Sequence, residues 1–578
     1  MIWTMIPKKI STNYKFRILC CAVFTAVLLA VSWLVFGIHF ETNDDYTIMS
    51  IIAGTLTGYP YPMPFVINYL FALPLAKLYS LFPSFPWYTI YICFIVWLSY
   101  FLILSCFIKT AGNMRSLYVS LIVAACIYIL AYLYTIVFLQ FTMTASIAGT
   151  AAICIYITER DNESKNEKYL HRLLFVFILL NSLCIRWEIG IVSLLVLFSS
   201  FFIRLFLKND NLKNIFVYTI LSLIILSGVS YVSKVSLRSP DWQKFLKFSS
   251  ECSRWNDYKH LDYDANKELY NSVGWDRSFY NLAEHWFFLD EKYSYESLVK
   301  INNASGTDYK GINFLYSNIK KIKPACWYSL LFFLCLIFLS LSQVNDNSLK
   351  LRLVPFAYWI GTILLLFYLA YYGRMVDRVV YSFMIIGLTP AALFCLPLLV
   401  QAEMFKKRTI LFKNLIIIIL CCVVLLTGAW ATAKRIIPKA KAHQWREERT
   451  EQLHNYALSV KQKGNVIIFD EPLLSHGNAG PFCLHPYDKP TNLIFWGYWH
   501  IFSPVYTAQL NINRYDSLTS KDFFDGRILM ATPKDNYYST DKSSLMGMMN
   551  AYMQKRYPGC KQEKKFENKY FVVYQWIR

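Results

Sequence analysis

Residues 17–38, RILCCAVFTAVLLAVSWLVFGI, carry no charge after Arg17 and give way shortly afterwards to Asn43-Asp44-Asp45. About twenty helical residues suffice to cross a hydrocarbon core. This stretch therefore reads as a membrane span, and the two carboxylates emerge at one water interface. No small-residue cleavage site follows the apolar run, so it reads as a retained anchor rather than a signal peptide.

The rest of the chain extends that reading. Of 578 residues 56% are hydrophobic and 17% aromatic, against 16% charged, which is more apolar surface than a soluble domain of this length buries. A formal charge of +21 would point to nucleic acid if it gathered on one soluble face. Instead the lysines and arginines fall in short runs between apolar segments, the positive-inside pattern. The lipid bilayer and its anionic head groups are therefore the expected partners, and nucleic acid is not. Fifteen cysteines lie mostly inside apolar runs, with no CxxC pairing and no His partner at metal-ligand spacing. Only Cys252, Cys483 and Cys560 fall in polar regions, where a disulfide is allowed but unforced.

Apolar segments recur at residues 17–38, 87–108, 117–137, 142–157, 173–185, 189–207, 215–232, 324–341, 353–372, 379–400 and 410–432, about eleven spans. The segment 64–81, crowded by prolines and interrupted by Asn68 and Lys77, reads as an interfacial or re-entrant helix. With that segment not crossing, the basic connections all share one side. The amino terminus is then cytoplasmic, and a first outer loop (39–86), a large outer loop (234–323), the short connection 373–378 and everything after residue 432 lie outside. The expected fold is thus mainly α, a polytopic helical bundle over residues 1–432 with a small extracytoplasmic α/β domain over 433–578. Within that domain 440–461 reads as helix, while 465–469, 527–530 and 570–574 read as buried strands. No phosphate-cradling glycine loop is present, which argues against ATP-driven transport by this chain alone.

Three constellations carry chemistry. The first is the acid pair Asp44 and Asp45, suited to general-base work or to a divalent cation such as Mg or Mn, since repulsion raises one pKa and a cation suppresses both; its bland counterpart is capping of a helix over 46–54. Arg186-Trp187-Glu188 at the junction of two spans is either a neutralised structural bridge or an arginine aimed at an anionic head group. Finally, the loop Gly373-Arg374-Met375-Val376-Asp377-Arg378 sets two arginines where the topology rule disfavours them. Guanidinium groups grip phosphate bidentately, so a lipid-linked phosphate suits Arg374 and Arg378, the alternative being a pair with Asp377. In the large loop and the tail, Trp275, Asp276, His285 and Trp496 read either as a carbohydrate-binding surface or as the loop's own core.

This arrangement resembles the GT-C class of polytopic membrane glycosyltransferases: a cytoplasmic amino terminus, one span, an outer loop opening on Asp44-Asp45, further spans and a carboxyl-terminal outer domain. The resemblance implies that Asp44 or Asp45 is the catalytic base or a metal ligand and that the donor is a polyprenyl-phosphate-linked sugar. Arg374 and Arg378 match only the role expected of the donor site's basic residues. Asn43-Asp44-Asp45, Pro86-Trp87-Tyr88, Arg186-Trp187-Glu188, Gly373-Arg374 and Trp496-Gly497 also resemble a group of bacterial multi-pass membrane proteins with no established substrate. A Trp-Trp-Asp acceptor motif of the oligosaccharyltransferase type is missing, so a cell-envelope glycan or lipid-linked saccharide is the expected acceptor. A flippase for such saccharides would place ionisable residues at mid-span; a polymerase would have little need of the acid pair, and an envelope scaffold would use the aspartates as caps.

Overall fold

A computed structural model describes residues 14–109, 114–160, 163–207, 212–258, 260–305, 312–341, 349–401, 408–469, 480–482, 492–534 and 545–578. Among them, eleven helices are long and apolar enough to cross a membrane: Ile18–Phe36, Trp87–Lys109, Leu117–Val137, Phe141–Thr158, Lys165–Ile185, Trp187–Phe206, Leu212–Ser236, Pro324–Leu341, Leu353–Tyr371, Asp377–Leu399 and Ile417–Lys461. They coincide with the eleven apolar segments. Phe141–Thr158 is the central post, buried along its whole length and packed against Trp87–Lys109, Lys165–Ile185, Trp187–Phe206 and Asp377–Gln401.

Helix Tyr69–Leu81 has 13 residues. Its rise of roughly 20 Å is too short for a core of ~30 Å. Asn68 caps it, accepting from the Leu70 N–H at 2.9 Å and donating to the Val229 carbonyl at 3.1 Å. The segment is thus pinned to the bundle without crossing it. Ahead of it, the two-residue strand β1 (His39–Phe40) pairs in parallel with β2 (Phe138–Leu139), and the buried helix Asn43–Ala53 follows directly.

Outside the bundle stands one extramembrane unit built from two distant pieces of chain. Its sheet has the order β4-β3-β5-β7-β6, with β3 (Val466–Phe469), β4 (Leu493–Phe495), β5 (Ile528–Pro533), β6 (Lys561–Glu567) and β7 (Phe571–Ile577). β3 runs parallel to β4 and β5, while β7 is antiparallel to β5 and β6. Side chains alternate across a strand, and here each face meets a different core. Ile467, Phe469, Leu529, Ala531, Phe571 and Val573 join the core that continues into the bundle. Val466, Ile468, Ile494, Met530, Tyr574 and Trp576 join a second core with Trp255, Trp275, Phe287 and Tyr293 of the loop 234–323. Burial on both faces explains why β3, β5 and β7 read as continuous apolar runs.

The domain boundary expected at 432/433 falls inside one unbroken helix, Arg408–Lys461, about 80 Å long, which carries the chain from the bundle to the sheet. Within the loop 234–323, buried residues between 252 and 301 share the tail's core, while Trp242, Phe245 and Ile322 join the core that continues into the bundle. The five-stranded sheet contains the three strands anticipated; β6 escaped notice because it is a charged, exposed edge (KQEKKFE), the composition that protects an edge from further pairing. Cys252 and Cys560 are buried free thiols, and Cys483 lies outside the described residues.

The loop and the tail meet at a bridge between Phe287 and Gly497. A Cβ on Gly497 would lie 1.7 Å from the Trp286 carbonyl oxygen, so only glycine permits that approach. Gly497→Ala should therefore separate the two pieces and destabilise the extramembrane unit by ~1–3 kcal/mol, read as a lower unfolding temperature in detergent; an unchanged transition would contradict this docking.

Candidate active site

Helix Asn43–Ala53 begins after Thr42, placing Asp44 and Asp45 in its first turn, where the helix dipole favours negative charge. Adjacent helical positions point about 100° apart, and the two acids part company. Asp45 turns inward and is fully buried. Its Oδ1 accepts from the Tyr88 hydroxyl at 2.7 Å and from the Phe141 N–H at 3.0 Å, while Oδ2 has no hydrogen-bond partner among the described residues. Burial drives its carboxyl well above the usual carboxylate range, opposed by the Tyr88 hydrogen bond and reinforced by repulsion from Asp44. Asp45 thus fastens the helix to the start of two spans.

Asp44 faces the other way and is partly exposed. Its Oδ1 accepts from the Tyr498 hydroxyl at 2.7 Å; Oδ2 accepts from Thr42 Oγ1 at 3.2 Å and stands 3.9 Å from Nη2 of Arg378. Around it the cations are matched by acids. Arg186 pairs with Glu188 at 2.9 Å and lies over the Phe141 ring. Arg374 pairs with Asp257 at 2.9 Å and stacks on Tyr258, rather than meeting Asp377. Asp377 is taken by Arg435 of the long helix, which lies over Tyr134. Lys439 of the same helix holds Glu41 at 2.8 Å. Burial alone would raise the Glu41 carboxyl, but the charges of Lys439 and Arg378 outweigh it and hold the group below its ordinary value. Arg186 feels Asp44, Arg378 and Arg374 together, and Arg378 feels Asp44, Glu41 and Asp257, so these groups form one electrostatic cluster. Every contact joins parts expected on a single side of the membrane.

The other candidates lie elsewhere. Trp275 is buried against Trp255 and Tyr293, and its Nε1–H donates to the Lys292 carbonyl at 3.0 Å. Asp276 caps helix Arg277–Ala283 through the N–H groups of Ser278 and Phe279 and pairs with Lys555 at 2.8 Å. His285 is half-buried, which lowers its imidazolium pKa, and Trp496 is buried against Phe287. Among the described residues no hydrogen bond, ion pair or ring contact links these four to Asp44 or to Arg186, Arg374 or Arg378. Trp275 and Trp496 lie in the interior shared by the loop and the tail, and Asp276 caps a helix, so these positions have structural partners of their own. Glu188 is likewise engaged with Arg186. Sequence reasoning missed Glu41, Arg435, Lys439 and Tyr498; the only hint of the last was the aromatic run at 495–500.

A divalent cation was the other expectation for the acid pair. One carboxylate of the pair is sequestered, and the described residues hold no group of three or more His, Cys, Asp or Glu placed to ligate a metal.

No family model matches this chain, and no curated relative matches it either. Two solved structures are similar to this chain: ArnT from Cupriavidus metallidurans bound to undecaprenyl phosphate, 12% identical with a TM-score of 0.39, and the same protein in the apo state, 11% identical with a TM-score of 0.41. Each match covers 96% of this chain and 97% of the other. At that level of likeness no residue role and no substrate is carried across.

The split between the acids generates a test. Stability contributed by a carboxyl whose folded pKa is raised is fully present at low pH and lost as pH rises through that folded value. Asp45→Asn should match the wild type at acidic pH and exceed it at alkaline pH, while Asp45→Ala, which strands the Tyr88 and Phe141 donors, should cost ~1–3 kcal/mol at either. Thermal unfolding in detergent across pH checks this; an Asn variant less stable at every pH would contradict it.

Proposed function

We propose that the chain is a GT-C-type membrane glycosyltransferase moving a sugar from a polyprenyl-phosphate-linked donor to a cell-envelope glycan or lipid-linked acceptor on the outer face. One observation carries the reading. Asp44, alone of the two acids, lies part-exposed at the mouth of the bundle beside Arg378, with Arg186 and Arg374 in the same field.

In the transfer, Asp44 takes the proton of the acceptor hydroxyl as its oxygen bonds to the sugar's anomeric carbon. The bond from that carbon to the phosphate oxygen breaks, and its electron pair leaves on the phosphate. Developing charge there is met by guanidinium groups, Arg378 first. Its pair with Asp44 is the longest of the cluster at 3.9 Å, and no hydrogen bond to its guanidinium is recorded among the described residues. A phosphate can therefore take Arg378 bidentately without stripping a buried acid of its hydrogen-bonded partner. Attack by Asp44-activated hydroxyl on the face opposite the phosphate inverts the anomeric centre. A lipid-phosphate donor also removes any need for nucleotide beyond the cytoplasm.

Asp44→Asn should lower transfer by about 10²- to 10⁴-fold, the usual contribution of a positioned base, whereas Asp45→Asn should retain most of it. Mass spectrometry of envelope glycans from cells carrying each variant reads the result. Unaltered glycans with the Asp44 variant would refute the mechanism.

A further inference from the structure

Resting on the reading of Asp44 as the base, we propose that Tyr498 marks the acceptor site: in the resting protein its hydroxyl occupies the place at Asp44 that a saccharide hydroxyl takes during transfer, so the base stays covered until an acceptor displaces it.

The geometry is that of the reacting pair. A hydroxyl 2.7 Å from Asp44 Oδ1 is within the reach a general base needs for the proton it removes. Oδ2 is already turned to Thr42 and Arg378, which leaves Oδ1 as the oxygen for an incoming hydroxyl. Tyr498 arrives there at a conformational cost: its φ is +100°, a region that side chains rarely adopt, and Phe502 four residues on has a φ of +62°. Strain at non-glycine residues persists where surroundings over-determine it, and it gathers at clamps and switches.

A second observation points to the class of ligand. Trp499 is half-buried beside Tyr498, and its Nε1–H is buried with no hydrogen-bond partner among the described residues. An N–H donor without an acceptor, beside the ring of the tyrosine that holds the base, suits a sugar ring, which brings hydroxyl acceptors on its edge and C–H groups on its face. The extramembrane unit thereby supplies the acceptor side of the site, and the arginines of the bundle supply the donor side.

The test labels Asp44 directly and needs no knowledge of the sugar. Protein in nanodiscs is treated with a water-soluble carbodiimide and glycine ethyl ester, and labelling is read by peptide mass spectrometry, with the exposed Glu268 and Glu291 as internal references. Y498F should raise Asp44 labelling about ten-fold, the lower end of what a hydrogen bond to a charged group is worth, and leave the references unchanged. Lipid-linked saccharides extracted from the cells' own membranes should then slow that labelling in Y498F. Should Y498F unfold early, Tyr498→Gly, which suits a φ of +100°, takes its place. Equal Asp44 labelling in wild type and variant, or no protection by the extract, would overturn the proposal. Failure of the base itself shows separately, as transfer that survives Asp44→Asn.

Discussion

A buried carboxyl accepting from one tyrosine hydroxyl and one helix N-terminus sets the geometry at this end of the molecule. Asp45 ties the helix Asn43–Ala53 to Tyr88 at the start of one span and to Phe141 at the start of the central post. Burial so complete would be prohibitive for an ionised, half-satisfied acid. The protein resolves this by favouring the neutral form, and the reward is positional: with one acid fixed, the residue before it on the helix is turned toward the part-exposed mouth. Asp44 is placed by its neighbour.

Charge balance is the second constraint. Five cations at the mouth each face an acid: Arg186 with Glu188, Arg374 with Asp257, Arg378 with Asp44, Arg435 with Asp377 and Lys439 with Glu41. Removing one member of a buried pair leaves an uncompensated charge and is strongly destabilising. An anionic ligand therefore binds at least disturbance where a pair is already loose, and Arg378 with Asp44 is that pair. The long helix Arg408–Lys461 contributes Arg435 and Lys439 and also feeds the sheet that carries Tyr498 to the site. Bundle and extramembrane unit are thus joined at the point where the chemistry is proposed.

Much of the fold was legible in the sequence because crossing a membrane imposes a length and an apolar composition that little else imitates. All eleven apolar helices followed from that, and the helix Tyr69–Leu81, with Pro74 inside it, stood apart as too short to cross. Strands buried on both faces, such as Val466–Phe469, were visible as apolar runs, whereas the charged edge Lys561–Glu567 carried no such signal. The acids and arginines of the candidate site could be named from the sequence; the division of labour between the two acids could not. Nothing in Asn43-Asp44-Asp45 says which acid turns inward, since that depends on Tyr88 and Phe141. Nor could the pairing of Arg374 with Asp257, more than a hundred residues away, be read from a loop in which Asp377 is the nearer acid. The tryptophans of the large loop kept two readings because the composition that builds a small core also suits a sugar-binding face.

Native mass spectrometry of the purified protein with a polyprenyl phosphate is the most direct measurement of the central claim, that Asp44 and a donor phosphate share Arg378. The account predicts that Arg378→Ala loses most of the bound lipid, while Asp44→Asn, which removes the competing carboxylate, keeps at least as much as the wild type. Equal retention by wild type and Arg378→Ala would contradict it.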